Sequence, residues 1–353
     1  MKISIIMPEI VRSPSGGHKV IYEYCNRLVN EGHIVSLYFF PGPIFKKYHI
    51  IEPIRLIMVK FYGESIGPRA WFNLDKRVQV NVIKQNDTID DGDIVIATAI
   101  NTATFVNKLP QSKGKKFYFI QGFENWNNSN EEVYETYRLG MTNIAVSNWL
   151  KEIVEQQSEK KCYLISNGID TNVFYNKGIA REKHSVVFQY RKDVCKGGQY
   201  AFEVIKRLHD KYSDLKVEII SSEKITFELP EYCTYHFNIS AEEVAEINNR
   251  NQVFMCTSIE EGYGLPGLEA MATGMALVIT DYLGAKEYAI NGYNALVSPT
   301  KDVTEMTENI VRLFEDEQLR LSIIQGGLDT VANREFTSEY CLENYEHENQ
   351  NTC

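Results

Sequence analysis

Short apolar runs alternate along the chain with longer stretches in which apolar residues recur at helical spacing. The first run, KISIIM (2–7), precedes GHKVIYEYCNRLVNEG (17–32), where Val20, Ile21, Tyr24, Leu28 and Val29 recur with helical period. HIVSLYFF (33–40), DIVIATA (93–99), KFYFIQ (116–121) and NIAVS (143–147) read as further strands, each followed by a helix-compatible stretch. After CYLIS (162–166) comes NGIDTNVFYNKGIAREKH (167–184), polar and without clear period, which reads as a linker. The alternation restarts with SVVFQY (185–190), a helix from about Gly197, KVEII (216–220), QVFMCTS (252–258), a helix from about Leu265, and ALVIT (276–280). Strands alternating with helices predict βαβ units and parallel sheets. The expected architecture is α/β, with two Rossmann-like doubly wound domains and a cleft between them. Residues 1–166 form the first domain, 167–184 the linker and 185–334 the second domain. Residues 335–353 are expected to form a C-terminal helix that packs back on the first domain. In such sheets ligands bind beyond the carboxyl ends of the strands, so the loops after strands are where chemistry is sought.

Composition narrows the class. At 353 residues, 44% hydrophobic and 24% charged, the chain is long enough for two domains and ordinary for a globular protein. Its apolar runs are too short to span a bilayer, and the start turns polar after seven residues, as a first strand does and a signal peptide does not. A net charge of −10 argues against a general nucleic-acid binder. Seven cysteines are scattered without a C-x-x-C pair, a pattern of a reducing compartment, and a cytoplasmic protein is expected. The seven histidines are dispersed and suggest no metal site.

Three loops carry candidate chemistry. Gly16 and Gly17 stand between the first strand and its helix, where free backbone N–H groups and the positive helix end suit an anion or a polar substrate. This is not the G-x-G-x-x-G of dinucleotide folds. In QYRKDVCKGGQ, Arg191, Lys192 and Lys196 lie between a strand end and a helix start, and a planar donor fork beside a compact ammonium suits a diphosphate. In EEGYGLPGLEAMATG (260–274), Pro266 suits the first helical turn, Glu261 lies in the loop and Glu269 about one turn into the helix. Gly262 and Gly264 would let the backbone approach a ligand. Two acids stabilising a helix start by about 0.3–1 kcal/mol each account for the charges but not for the glycines. By contrast DDGD (90–93) precedes its strand and reads as a solvated turn, not a metal site.

EEGYGLPGLEAMATG resembles the E-x7-E signature of the retaining glycosyltransferases of family 4, which have the GT-B fold. The likeness runs in order along nearly the whole chain. SGGHKVIYEYCNRLVNEGHIVSLYF is similar to that family's first glycine loop and helix, AVSNWLKEIV with ISNGIDTNVF to its interdomain approach, and GAKEYAINGYNALVSP to its closing segment. Arg191 and Lys196 have the spacing of its diphosphate-binding pair. The resemblance implies that Glu261 lies by the donor sugar, that Glu269 binds the ribose hydroxyls, and that Arg191 and Lys196 stabilise the leaving diphosphate. Gly16, Gly17, Gly262, Tyr263, Gly264 and Leu265 would line the nucleotide-sugar site. It implies transfer from a nucleotide-diphosphate sugar to a glycan or lipid-linked acceptor with retention, by front-face attack, with no cofactor and no metal because the two cations stand in its place. Surface-polysaccharide synthesis in a bacterium is the implied setting. The chain departs from the family in three places. Gln121 or Glu124 stands where many members carry a histidine, with an acceptor contact as the implied role. Ser221 and Ser222 stand where glycines are frequent, and MALVIT lacks a common proline.

The segment 45–77 is locally basic, with Lys46, Lys47, Arg55, Lys60, Arg69, Lys76 and Arg77 against Glu52, Glu64 and Asp75, and aromatics interleaved. It suits peripheral contact with anionic lipid at the inner membrane face, or equally an ordinary surface over core aromatics. A nucleotide-sugar epimerase or hydrolase on the same fold, and a non-catalytic nucleotide-sugar-binding subunit, are the competing functional readings.

Overall fold

The computed structural model describes residues 1–42, 51–84, 86–332 and 334. The described residues divide into two compact units, one built from residues 1–166 and the other from residues 167–334. The C-terminal helix expected over 335–353 lies outside the described residues, as do residues 45–50 of the basic segment.

The first unit begins β1 (Lys2–Met7), α1 (Gly16–Asn30), β2 (Ile34–Phe39), α2 (Glu52–Ile66) and α3 (Pro68–Trp71). It continues β3 (Gln79–Val82), β4 (Ile94–Ala97), α4 (Ile100–Lys108), β5 (Lys115–Ile120) and α5 (Asn130–Tyr137). β6 (Thr142–Ala145), α6 (Asn148–Ser158) and β7 (Cys162–Leu164) complete it. Its seven strands are parallel in the order β3-β2-β1-β4-β5-β6-β7. The central strands are buried on both faces, which explains their near-continuous apolar runs. α1 turns Val20, Ile21, Cys25 and Val29 into the core.

The second unit runs β8 (Ser185–Gln189), α7 (Gly198–Lys211), β9 (Lys216–Ser221), β10 (Cys233–Phe237) and α8 (Ala241–Arg250). β11 (Val253–Cys256), α9 (Leu265–Ala272), β12 (Ala276–Thr280), β13 (Leu296–Ser298), α10 (Val303–Glu315) and α11 (Glu317–Ala332) follow. Its six strands are parallel in the order β10-β9-β8-β11-β12-β13. Val186, Phe188, Val217, Ile219, Met255 and Val278 meet the apolar faces of α7 and α10 in one core.

In both sheets the strand order reverses beside the first strand, between β1 and β4 and between β8 and β11. Helices leave opposite faces there, and a crevice opens at the carboxyl ends of those strands.

The polar stretch 167–184, read as a linker, is packed on the second unit. Ile169 and Phe174 are buried, and the Arg181 guanidinium donates to the carbonyls of Asn248 at 2.7 Å, Asn251 at 2.6 Å and Thr273 at 2.5 Å. Its fastening is by backbone carbonyls at the ends of α8 and α9, which leave no periodic signature in the sequence.

Candidate active site

The switch point of the second unit collects the charged candidates. Arg191 follows β8, and Lys196 closes the short helical turn Val194–Lys196 ahead of α7. Glu261 follows β11, the strand next to β8, and Glu269 lies in the second turn of α9. The two loops are pressed together. Gly197 has φ 65°, and a methyl group built on it would overlap the Thr257 carbonyl oxygen. The Cys195 carbonyl accepts the backbone N–H groups of Ile259 at 2.7 Å and Glu260 at 3.3 Å. Glycine at 197 is therefore required both by its conformation and by the close approach.

This contact sets Lys196 Nζ 3.3 Å from Glu261 Oε1. Burial pulls the Lys196 ammonium down, but the field and hydrogen bond of the Glu261 carboxylate outweigh it and its pKa ends above the ordinary lysine value. Ser258 Oγ donates to the same Glu261 oxygen at 2.5 Å, and the Thr280 hydroxyl, at the end of β12, holds the Ser258 carbonyl. Arg191 Nη1 donates to Ser222 Oγ at the end of β9. Burial lowers the Arg191 pKa, with Glu223 and Glu261 working the other way. Lys192 presents its backbone N–H to Glu223 Oε2 at 3.0 Å. Glu223, Ser258 and Thr280 thus support the site but did not stand out in the sequence, and Ser222 stood out only as a departure from the glycines of the family. Each is an ordinary polar residue at a strand end, and only strand adjacency brings it to the charged groups.

Two glycines of EEGYGLPGLEAMATG are required by packing alone. Gly264 caps α9 with φ 95°, and a methyl group there would overlap the Tyr282 hydroxyl; one on Gly267 would overlap that of Tyr288. Tyr288 donates to the Gly264 carbonyl at 2.7 Å, and the two phenol oxygens are 3.3 Å apart. Gly264 and Gly267 make room for buried tyrosines, while Gly262 remains half-exposed in the loop with Leu265. Tyr263 is 3% exposed and donates no side chain to the surface; its hydroxyl accepts from Arg334 at 2.8 Å. Only its backbone is left for a ligand. Glu269 is 7% exposed, near the positive end of α9.

The remaining candidates meet in the first unit. Gly16 and Gly17 open α1, whose cap residue Ser15 makes no side-chain cap bond. Space beside Gly16 is open, whereas Gln121, at the end of β5, lies over Gly17 and donates to its carbonyl at 3.2 Å. Glu124 Oε2 accepts the Ile100 N–H at 3.1 Å at the start of α4. Burial pushes its carboxyl up to about 7, against the effect of that hydrogen bond. In DDGD, Asp90 takes the Tyr38 hydroxyl at 3.1 Å, Asp91 pairs with Lys113 at 2.8 Å, and Asp93 takes the Lys2 N–H at 2.7 Å.

A model of the family Glycosyl transferases group 1 matches residues 176–329, the segment that holds Arg191, Lys196, Glu261 and Glu269. The second unit is thus similar to that family over most of its length. An uncharacterized glycosyltransferase of Methanocaldococcus jannaschii is 23% identical over 207 residues, 56% of each chain. The N,N'-diacetylbacillosaminyl-diphospho-undecaprenol alpha-1,3-N-acetylgalactosaminyltransferase of Campylobacter jejuni is 34% identical over 91 residues, 26% of this chain and 24% of that one. The chain therefore spans about half of the first curated relative's length and a quarter of the second's. Among solved structures, Anabaena HepE in complex with UDP-glucose aligns with TM-score 0.73 at 14% identity, over 99% of this chain and 100% of that one. The two parallel-sheet units, of seven and six strands, are those of the GT-B fold.

Proposed function

We propose that the chain is a glycosyltransferase that moves a sugar from a nucleoside diphosphate sugar to a glycan or lipid-linked acceptor. It acts with retention at the anomeric carbon and without a metal, in synthesis of a bacterial surface polysaccharide. The observation that carries this reading is the convergence of Arg191, Lys196 and Glu261 at one switch point, with Lys196 3.3 Å from Glu261. The Campylobacter relative, a transferase acting on a diphospho-undecaprenol-linked sugar, and the structure of Anabaena HepE in complex with UDP-glucose support the donor and acceptor classes.

In this mechanism the bond from the anomeric carbon to the diphosphate breaks as the acceptor oxygen approaches from the same face. The departing phosphate oxygen takes the acceptor's proton, so the configuration is kept. The charge that develops is on the phosphate. Arg191, Lys196 and the N-terminal end of α7 neutralise it with groups already in place, which is where electrostatic catalysis is strongest. An arriving diphosphate draws Lys196 from Glu261 and leaves that carboxylate to the hydroxyls of the sugar. Glu269, set back in α9, takes the ribose hydroxyls. The exposed apolar residues of α2 would hold the enzyme at the inner membrane face, where a lipid-linked acceptor is found, with the enzyme otherwise in the cytoplasm.

Thermal-shift titration with UDP, GDP, dTDP and their sugars tests the donor class. A correct donor at ~100 times Kd adds about 2.7 kcal/mol of stability. Arg191→Ala is expected to lose the diphosphate-dependent shift. Glu261→Ala is expected to keep it while transfer falls about 100-fold or more. Full transfer by either variant, or no shift with any nucleotide, overturns the reading. Donor breakdown without an acceptor would mark a hydrolase or epimerase, and binding without turnover a non-catalytic subunit.

A further inference from the structure

Every connection between consecutive strands of the first sheet passes through a helix except the one from β3 back to β4, residues 83–93, which has none among its described residues. Right-handed crossovers put α1 and α2 on one face of the sheet and this return on the other. A loop covers less of a sheet than a helix does, and a cavity of about 410 Å³ is left against the ends of β2 and β3. Small-molecule sites usually span roughly 300–1,000 Å³.

The sheet is polar on the face beneath this loop, where a helix-covered strand would be apolar. Tyr38 pairs in register with Asn81, and Ser36 with Gln79, so the four side chains share one face. Ser36 Oγ donates to Gln79 Oε1 at 3.2 Å, and the Tyr38 hydroxyl reaches the loop and donates to Asp90 Oδ2 at 3.1 Å.

Two chemistries line the cavity. The Tyr38 ring, with Val82, Ile83 and Ile89, gives it an apolar wall, and Asn81, Thr88, Asp87 and Asp90 give it a polar one. Asp87 Oδ2 takes the Lys84 N–H at 2.9 Å, and Asp90 Oδ2 takes the Tyr38 hydroxyl. Among the described residues, the second oxygen of each of these carboxylates has no hydrogen-bond or ion-pair partner. The other two acids of the same connection are engaged, Asp91 with Lys113 and Asp93 with the Lys2 N–H. None of the residues lining the cavity is Lys, Arg or His. An anion would be repelled there, and a neutral polyol would leave two charges unmatched. An ammonium or guanidinium on an aliphatic stem matches both walls, its head on the carboxylates beside the Tyr38 ring and its stem on the apolar residues.

We propose that this cavity binds a small organic cation, a primary amine or guanidine on a short aliphatic stem. Asp87 and Asp90 hold the charged head, and Val82, Ile83 and Ile89 hold the stem. The site lies within the first unit and does not depend on the transfer reaction.

Saturation-transfer NMR and thermal shift on the full chain test this, with butylamine, putrescine and agmatine as probes. Butanol serves as the uncharged control and sodium chloride as the control for ionic strength. At least one cation is expected to bind saturably, to raise Tm more than sodium chloride does at equal ionic strength, and to bind more weakly as salt rises. Asp87→Asn and Asp90→Asn should each weaken binding about tenfold, the loss expected when a charge-assisted hydrogen bond goes. Thr88→Arg, at an exposed position, tethers a guanidinium beside the carboxylates and should abolish binding. All three variants should keep the wild-type thermal shift with nucleoside diphosphates. A response to the cations no larger than that to butanol or to salt, or variants that bind as the wild type does, overturns the site.

Discussion

At the scale of single residues, Glu124 shows how burial and capping compete for one carboxyl. A carboxylate at a helix start is ordinarily favoured in its charged form. Here burial wins and the carboxyl titrates at about 7, against an ordinary value of 4.5. Between those values the folded chain keeps a proton that the unfolded chain has released. This residue's contribution to stability is therefore fully present below about pH 4.5 and is lost as pH rises through about 7. Glu124→Gln removes the titration. Measured by differential scanning fluorimetry, the variant's Tm relative to wild type should rise from about pH 5 to about pH 8. A difference that is flat or falls across that range would contradict the assignment. The sequence placed Glu124 near the end of a strand but gave no sign of its protonation, which depends on how deeply the folded chain buries it.

At the scale of elements, the strands and helices around both switch points were legible because long apolar runs and helical periods coincide there. β1, β2, β4, β8, β11 and β12 fall within a few residues of their expected places. β3, β10 and β13 were not foreseen. QVNV and CTYHF are only partly buried and close the sheet edges, and LVS is three residues long, so none offers a continuous apolar run. The E-x7-E acids and the two cations were legible as charges at loop ends, and their contact was not, since it depends on Gly197. Gly197→Ala combines a left-handed backbone, costing about 1–2 kcal/mol for an alanine, with overlap against a backbone oxygen that has no side chain to swing away. The expected result is a Tm lowered by several degrees, together with lost transfer as Lys196 leaves Glu261. Wild-type Tm and activity in purified Gly197→Ala would disprove the coupling of the two loops.

On the scale of the whole molecule, the basic and aromatic segment 45–77 divides into two parts. Arg55 donates to the Gly42 carbonyl, Arg69 binds the carbonyls of Leu74, Asp75 and Val78, and Arg77 pairs with Asp75 at 2.7 Å. Trp71 and Phe72 pack on Tyr22, each with ring centres 5.4 Å away. These residues are structural. Among the described side chains of α2, Ile54, Ile57 and Phe61 are exposed, the last 78%. That row, with Lys60 in the same helix and Lys46 and Lys47 nearby in sequence, suits an anionic lipid surface on a chain whose net charge is otherwise −10. Co-sedimentation with vesicles of phosphatidylglycerol and phosphatidylcholine should retain the wild type and release Phe61→Glu by a factor of about ten, with little change in Tm at so exposed a position. Equal retention of the two proteins would remove α2 from the membrane reading.

The strap of residues 167–184 has a consequence for how such a chain can be exchanged between proteins. A recombination joint at Asn167 transfers the second unit with Arg181, Ile169 and Phe174 in hand. A joint at Ser185, where the first strand of that unit begins, leaves them behind on the wrong parent. The carbonyls of Asn248, Asn251 and Thr273 would then depend on whatever sequence the new parent supplies. The heritable module is longer than its sheet by those eighteen residues.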